Sequence, residues 1–261
     1  MQYDKHRSAC KVFKEIDKNP SKYLIIHYSC ESFYDIKEGR TPRITSIAVR
    51  SYESGQTDSF SIHKVAEKNH IEFSKIDEQY DELESQMLSE FFEYVRIHVG
   101  FFWLHWNMRN MTFGFKAIEH RFQVLNGNPT LFDDSKKIDI ACLLIDKYGV
   151  SYIGHPRMEQ LIRLNNISPL NYLSGAQEAE AFDNKEFIKL HQSTLQKVDI
   201  FANIINRSIH GTLKTNSKWK EIYGFSPQGI FELIRQKWYL SLLTYVVTLF
   251  LGVIITLILC P

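Results

Sequence analysis

From Leu240 to Cys260 the chain reads LSLLTYVVTLFLGVIITLILC, and no residue in that run carries a charge. As a helix it reaches about 31 Å, which matches the thickness of a bilayer's hydrocarbon core. Lipid gives backbone N–H and C=O groups no partners, so a run that enters it must be helical. Trp238 and Tyr239 stand where an interfacial aromatic pair belongs, and Arg235 and Lys237 flank the same side. Basic flanks favour the cytoplasmic side, which predicts a single-pass protein anchored in a membrane lipid bilayer with its soluble part facing the cytoplasm. Residues 238–261 are the predicted transmembrane helix. A removable lipid-anchor signal would need a secretory start, and the stretch from Met1 to Pro20 is charged and lacks an apolar centre. Gly252, with small neighbours, offers a close-approach point for a second copy of the helix, so a homo-oligomer is one partner this segment suggests.

Everything before that helix must fold in water. Residues 1–206 suit one α/β domain, and 207–237 read as a linker followed by a juxtamembrane helix. With 44% hydrophobic and 13% aromatic residues, a chain of this length can fill a sizeable core. Lys and Arg number 31 against 30 Asp and Glu, so no global basic field draws in nucleic acid and any basic surface is local. Cys10, Cys30, Cys142 and Cys260 form no CxxC pair and no metal-ligand spacing, and read as thiols of a reducing compartment. No P-loop, GxSxG, HExxH or dinucleotide fingerprint occurs. In residues 207–225 (RSIHGTLKTNSKWKEIYGF), Lys214, Lys218 and Lys220 are either solvated linker charges or lie near anionic headgroups. Ser226-Pro227 reads as the cap and first residue of a helix carrying Phe231, Ile234 and Trp238.

The order of elements follows from periodicity. Tyr23-Leu24-Ile25-Ile26-His27-Tyr28 is short, apolar and β-branched, as a central strand is. A turn-rich KEGRTP (37–42) leads to RITSIAVRSY, and Glu53-Ser54-Gly55-Gln56 is a hairpin turn before a third strand, TDSFSIH. Leu83, Met87, Leu88, Phe91, Phe92 and Val95 recur at helical intervals. FFWLHW is a buried strand, and Phe115, Ile118, Phe122 and Leu125 mark a helix broken at Asn126-Gly127-Asn128-Pro129. IDIACLLI is open between strand and helix, MEQLIRLNNI reads as a helix, and Ala176 to Asn206 is mostly helical. Three antiparallel strands, then helix, strand, helix, strand and a helical end, form the element order of a ribonuclease-H-like mixed sheet flanked by helices.

Local sequences within residues 22–205 resemble the DEDD family of 3′–5′ exonucleases. LIIHYSCESF is similar to that family's first strand, which ends in Asp-x-Glu; RITSIAVRSYESGQTDSFSIH is similar to its second and third strands. WLHWNMRNMTFGF resembles the second motif, KKIDIACLL the segment that follows, GHPRMEQLIRLNNI a short helix, and LQKVDIFANII the last motif. The resemblance implies two divalent cations, Mg²⁺ or Mn²⁺, about 4 Å apart and held by four carboxylates. Matched residue by residue, the Asp-x-Glu positions fall on Ser29 and Glu31, or with a shift of two on His27 and Ser29. The second motif's Asp falls at or near Met111, beside Asn110, and the last motif's Asp on Asp199. The family's general base falls on Thr194 or Leu195, which cannot act as one; His191 is nearby but out of pattern. Glu31 and Asp199 are therefore the surviving carboxylates, fit at most for one weakly held cation.

The expectation is a catalytically depleted, membrane-anchored exonuclease-like domain that binds a nucleic-acid end or nucleotide. His105, Asn107 and Arg109 join Ser29 as candidate ligand-binding residues, with Asn107 and Arg109 suited to phosphate and Trp106 to base stacking. Each also has a plain structural reading: a core strand whose Asn ties down a loop, and a solvated Arg. Two alternatives stand beside it. One is an active metal-dependent exonuclease with a rearranged site using Glu31, Asp199 and Asp139 or His191. The other is a scaffold that recruits a protein partner to the membrane. His191 and Asp199, eight residues apart on a helix, differ by roughly 80° in direction and need not converge.

Overall fold

The computed structural model describes residues 2–31, 41–109, 113–224, 227–236 and 238–259. The chain divides into two compact units that are discontinuous in sequence. The larger holds residues 12–143 and 155–214, and the smaller holds 1–11, 144–154 and 215–261.

In chain order, helix α1 (Gln2–Lys18) precedes strands β1 (Tyr23–Cys30), β2 (Ile44–Ser51) and β3 (Thr57–Ser61). Helices α2 (Ile62–Lys68) and α3 (Tyr80–Ile97) lead to β4 (Phe102–His105), α4 (Phe115–Val124) and β5 (Lys137–Asp139). Then come α5 (Ile140–Tyr148), α6 (Arg157–Leu164), α7 (Gly175–Asp183) and α8 (Phe187–Ile209). The chain ends with α9 (Trp219–Tyr223), α10 (Pro227–Gln236) and α11 (Trp238–Leu259).

The larger unit is built on an open five-stranded mixed sheet in the order β3-β2-β1-β4-β5. β1 and β3 run antiparallel to β2, while β1, β4 and β5 are parallel. Every residue of β1 is buried, because helices cover both faces, and this is why the strand reads as a continuous apolar run rather than an alternation. On one face Leu24, Ile26, Tyr28, Ile47 and Val49 join the core with Leu83, Met87, Leu88, Phe91 and Phe92 of α3. On the other face α8 packs across β1 and β2. The β2–β3 hairpin closes at Gly55, whose φ of +77° is a left-handed conformation that glycine adopts freely.

IDIACLLI resolves into both readings: Ile138 and Asp139 end strand β5, and helix begins at Ile140. Asp139 makes the change, its Oδ1 accepting from the Ala141 N–H at 2.9 Å and so capping α5. Three helices, α1, α2 and the short α9 within the expected linker, have no counterpart in the sequence reading. The apolar residues that α1 buries are Ala9, Phe13 and Ile16, spaced along an otherwise polar stretch, and α2 begins at Ile62, which reads as strand by composition. The expected linker 207–225 carries more structure than a linker needs. α8 continues to Ile209, and Asn165 pins Lys214, its Oδ1 accepting from Lys214 N–H at 2.8 Å and its Nδ2 donating to the Lys214 carbonyl at 3.1 Å. The expected turn 37–42 lies largely outside the described residues, as does the Ser226 cap.

The smaller unit gathers three distant pieces of chain. His6 Nδ1 bonds the Lys147 carbonyl at 2.6 Å, the His6 and Tyr223 rings lie 5.2 Å apart, and the Asn216 N–H donates to the Tyr152 carbonyl at 2.8 Å. Its last helix, α11, is long and apolar enough to cross a membrane. The window Tyr239–Thr256 has a mean hydropathy of 2.1 and none of it is buried.

Candidate functional site

Two adjacent parallel strands whose chains leave toward opposite edges of the sheet open a crevice at their carboxyl ends. In the larger unit those strands are β1 and β4. Beyond β4 the chain turns at Asn107, which holds a φ of 54°, and Arg109 comes back to bridge Gly114. Gly114 has no room for a side chain, since a Cβ there would meet the Met108 carbonyl oxygen at 2.4 Å. Its N–H donates to the Tyr28 hydroxyl at 2.9 Å, which ties this turn to the centre of β1.

Three of the sequence-selected residues meet here. Asp139 Oδ2 lies 2.6 Å from Arg109 Nε, and Asp139 Oδ1 accepts from the Asn107 N–H at 3.3 Å. Arg109 Nη2 donates to Asn107 Oδ1 at 2.9 Å and Nη1 points at the Cys142 sulfur, also at 2.9 Å. The result is a clasp joining the ends of β4, β5 and α5. Asn107 and Arg109 are exposed, and Trp106 is half-buried, its ring stacked 5.8 Å from Phe201 of α8. His105 points into the core instead. Its Nδ1 accepts from the Met108 N–H at 3.2 Å, its ring meets Phe115 edge-on, and burial pushes its pKa down to about 4 despite the pull of Asp139.

The two surviving carboxylates do not meet. Glu31 follows β1, and its Oε2 accepts from the Arg43 N–H at 3.4 Å. Asp199 lies 2.9 Å from Arg50 Nε, and Arg50 pairs with Ile25 near the start of β1. Ile25 and Glu31 are six residues apart, roughly 20 Å of strand, so the carboxylates stand at opposite ends of the β1–β2 ladder. His191 turns to a third place. Its ring lies 5.1 Å from that of His63 on α2, and burial, with Lys64 and His63 adding to it, lowers its pKa to about 3. The positions matched to the second motif, Asn110 and Met111, lie outside the described residues.

Of the residues that converge under α8, the sequence reading named Ser29, His27 and Thr194 but missed Lys197, Glu178, Ser193 and Ser46. Ser29 and His27 face that helix from β1; Ser29 is fully buried and His27 packs edge-on against Phe201 at 5.5 Å. Neither the Ser29 hydroxyl nor either His27 ring nitrogen has a hydrogen-bond partner among the described residues. Thr194, at the general-base position, shares a hydrogen bond of 2.8 Å with Ser46 of β2. One turn on, the Lys197 ammonium is buried and lies 2.7 Å from Glu178 Oε2, a carboxylate from α7. Ser193 Oγ donates to the other oxygen of Glu178 at 3.0 Å. Burial holds the His27 pKa well below its ordinary value, and the Lys197 charge lowers it further. The available signal was the spacing Leu190, Thr194, Lys197, Phe201, which marks the buried face of α8.

Among the described residues, no group of three or more His, Cys, Asp or Glu side chains is arranged to hold a metal ion. No protein-family model, curated protein or solved structure matches the chain.

Proposed function

We propose that the chain is a membrane-anchored domain of the ribonuclease-H-like class, of exonuclease type, that binds a nucleic-acid end or nucleotide without cutting it. The observation that carries this reading is Lys197. At the α8-facing end of β1, where a two-metal nuclease gathers acids, the side chains are His27, Ser29 and a buried ammonium paired with Glu178. A fixed positive charge repels a divalent cation, and hard cations need several oxygen ligands at close range. Glu31 and Asp199 stand too far apart to share one ion, and each already has a partner. Mg²⁺ or Mn²⁺ therefore does not fit the donors on this face.

The strand order β3-β2-β1-β4-β5, with β1 antiparallel to β2 and parallel to β4, supports the fold assignment. The ligand site is the crevice at the ends of β1 and β4. There Trp106 offers a half-open aromatic face to a base, and Arg109 an exposed guanidinium to a phosphate. The anchor is α11, entered from the cytoplasmic side because Arg235 and Lys237 precede it. A protein-recruiting scaffold is the second reading, favoured by the fact that Arg109 is already engaged by Asp139.

The test uses the full chain in detergent micelles with end-labelled single-stranded DNA and RNA. Fluorescence anisotropy should report binding that weakens at least tenfold in Trp106→Ala or Arg109→Ala, with no shortening of the strand in Mg²⁺ or Mn²⁺. Metal-dependent shortening that disappears in Glu31→Ala or Asp199→Ala would overturn the reading in favour of an active exonuclease. Neither binding nor cleavage would leave the scaffold.

A further inference from the structure

The smaller unit holds a pairing of nucleophile and base that the nuclease-like reading does not use. His6 and Cys10 are four residues apart on α1, and so share a face of the helix. Cys10 Sγ lies 3.6 Å from His6 Nε2. The other ring nitrogen, Nδ1, is 2.6 Å from the Lys147 carbonyl oxygen at the end of α5. A carbonyl can only accept, so Nδ1 carries the proton in the neutral ring and Nε2 presents its lone pair to the sulfur. The Tyr223 ring, 5.2 Å from the imidazole, packs against it from α9. The imidazole is thus oriented by three elements of the unit, in the arrangement that activates a nucleophile: sulfur, base, and a group that orients the base. Lys147 places an ammonium in the same neighbourhood. Burial lowers its pKa, and the negative charge of a Cys10 thiolate pulls it partly back up. Cys10 itself is half-buried, so a small reagent can reach it.

We propose that Cys10 is an activated thiol, with His6 as its base, that reacts with hydrogen peroxide to give a sulfenic acid. His6 Nε2 takes the thiol proton. The thiolate sulfur attacks one peroxide oxygen, the S–O bond forms as the O–O bond breaks, and the departing hydroxide leaves as water with the proton held by His6. Sulfur is oxidised by two electrons and the peroxide is reduced by two. A small-molecule thiol such as glutathione restores the reduced state by condensing with the sulfenic acid and then exchanging.

The experiment follows each cysteine of the full chain in detergent by peptide mass spectrometry. Iodoacetamide alkylation is timed at pH 7 beside glutathione, and a dimedone adduct is sought after brief peroxide exposure. Cys10 should alkylate on the order of tenfold faster than glutathione and should carry the dimedone adduct. His6→Ala and His6→Gln should both fall to the glutathione rate. The glutamine variant keeps a donor for the Lys147 carbonyl but has no nitrogen that accepts a proton, so it separates the base from a packing role. A wild-type rate no faster than glutathione, the absence of the adduct, or variants that keep the wild-type rate would overturn the proposal. If both variants misfold by circular dichroism, the wild-type rate and adduct decide it alone.

Discussion

Lys197 owes its role to residues far from it in sequence. Its ammonium is buried on α8 and its counter-charge, Glu178, comes from α7 nineteen positions earlier. Removing one member of a buried pair strands the other charge in a poor solvent for it. Glu178→Ala should therefore destabilise the larger unit by about 3–5 kcal/mol, seen as a lower denaturant midpoint by circular dichroism. Adding Lys197→Met should recover most of that loss, since no uncompensated charge remains. Gly114→Ala should also destabilise, by about 1–3 kcal/mol, because the φ of +150° is strained for alanine and its Cβ meets the Met108 carbonyl. The family resemblance selected Glu31 and Asp199 as acids by matching single residues. It could not show that two positions about 200° apart on one helix put Asp199 outward, paired with Arg50, and Lys197 inward. Which side of a helix faces the sheet is settled by all of its apolar contacts together, and single-residue matching discards that information.

Elements were easier to read than residues wherever burial left a strong apolar pattern, on one face or on both. α3 buries the apolar residues that its periodicity selects, and β1 is apolar because both its faces are covered. α1 and α2 were illegible because short or sparse apolar patterns do not stand out from a polar background. The α8-facing layer has a further property that only the assembled elements reveal: it buries three neutral imidazoles, His27 on β1, His63 on α2 and His191 on α8. Burial lowers the pKa of each, with Lys197 adding to the effect at His27 and Lys64 at His63 and His191; Glu67 opposes it at His63. The unfolded chain takes up these protons near pH 6.5, and the folded chain does so only at lower pH. Stability conferred by neutral burial is therefore complete above about pH 6.5 and declines as pH falls toward 3, at up to roughly 1.4 kcal/mol per pH unit for each imidazole. Unfolding free energies measured between pH 4 and 7 should show that slope, and His191→Gln should flatten it. A slope unchanged in His191→Gln would mean that His191 contributes nothing to the acid sensitivity.

At the scale of the whole molecule, the charge is unevenly shared between the two units. The smaller unit contains eight Lys and Arg against four Asp and Glu, a net of +4, which leaves the larger unit at −3. The basic unit is the one that carries α11, and this is the sign expected of a surface held beside anionic lipid. The grouping of residues 1–11 and 144–154 with the tail had no local signature, because it depends on contacts such as His6 with Lys147 that span more than a hundred positions. The tail was legible as a helix long and apolar enough to cross a bilayer, since a bilayer imposes a length and a polarity that can be counted along the chain. That makes it the part of the molecule where a charge substitution has the most definite outcome. Leu249 is near the middle of α11 and more than half exposed, so Leu249→Arg removes no packing from the soluble part. An arginine at that depth disfavours insertion by about 2.5–3.5 kcal/mol, whereas one at the flank can extend its guanidinium to the headgroups. Leu249→Arg combined with Val253→Arg should shift most of the protein out of the carbonate-resistant membrane fraction, while Tyr239→Arg should leave it there. Equal retention of the wild type and the doubly charged helix would mean that α11 does not lie in the hydrocarbon at all, and that another surface covers its apolar sides.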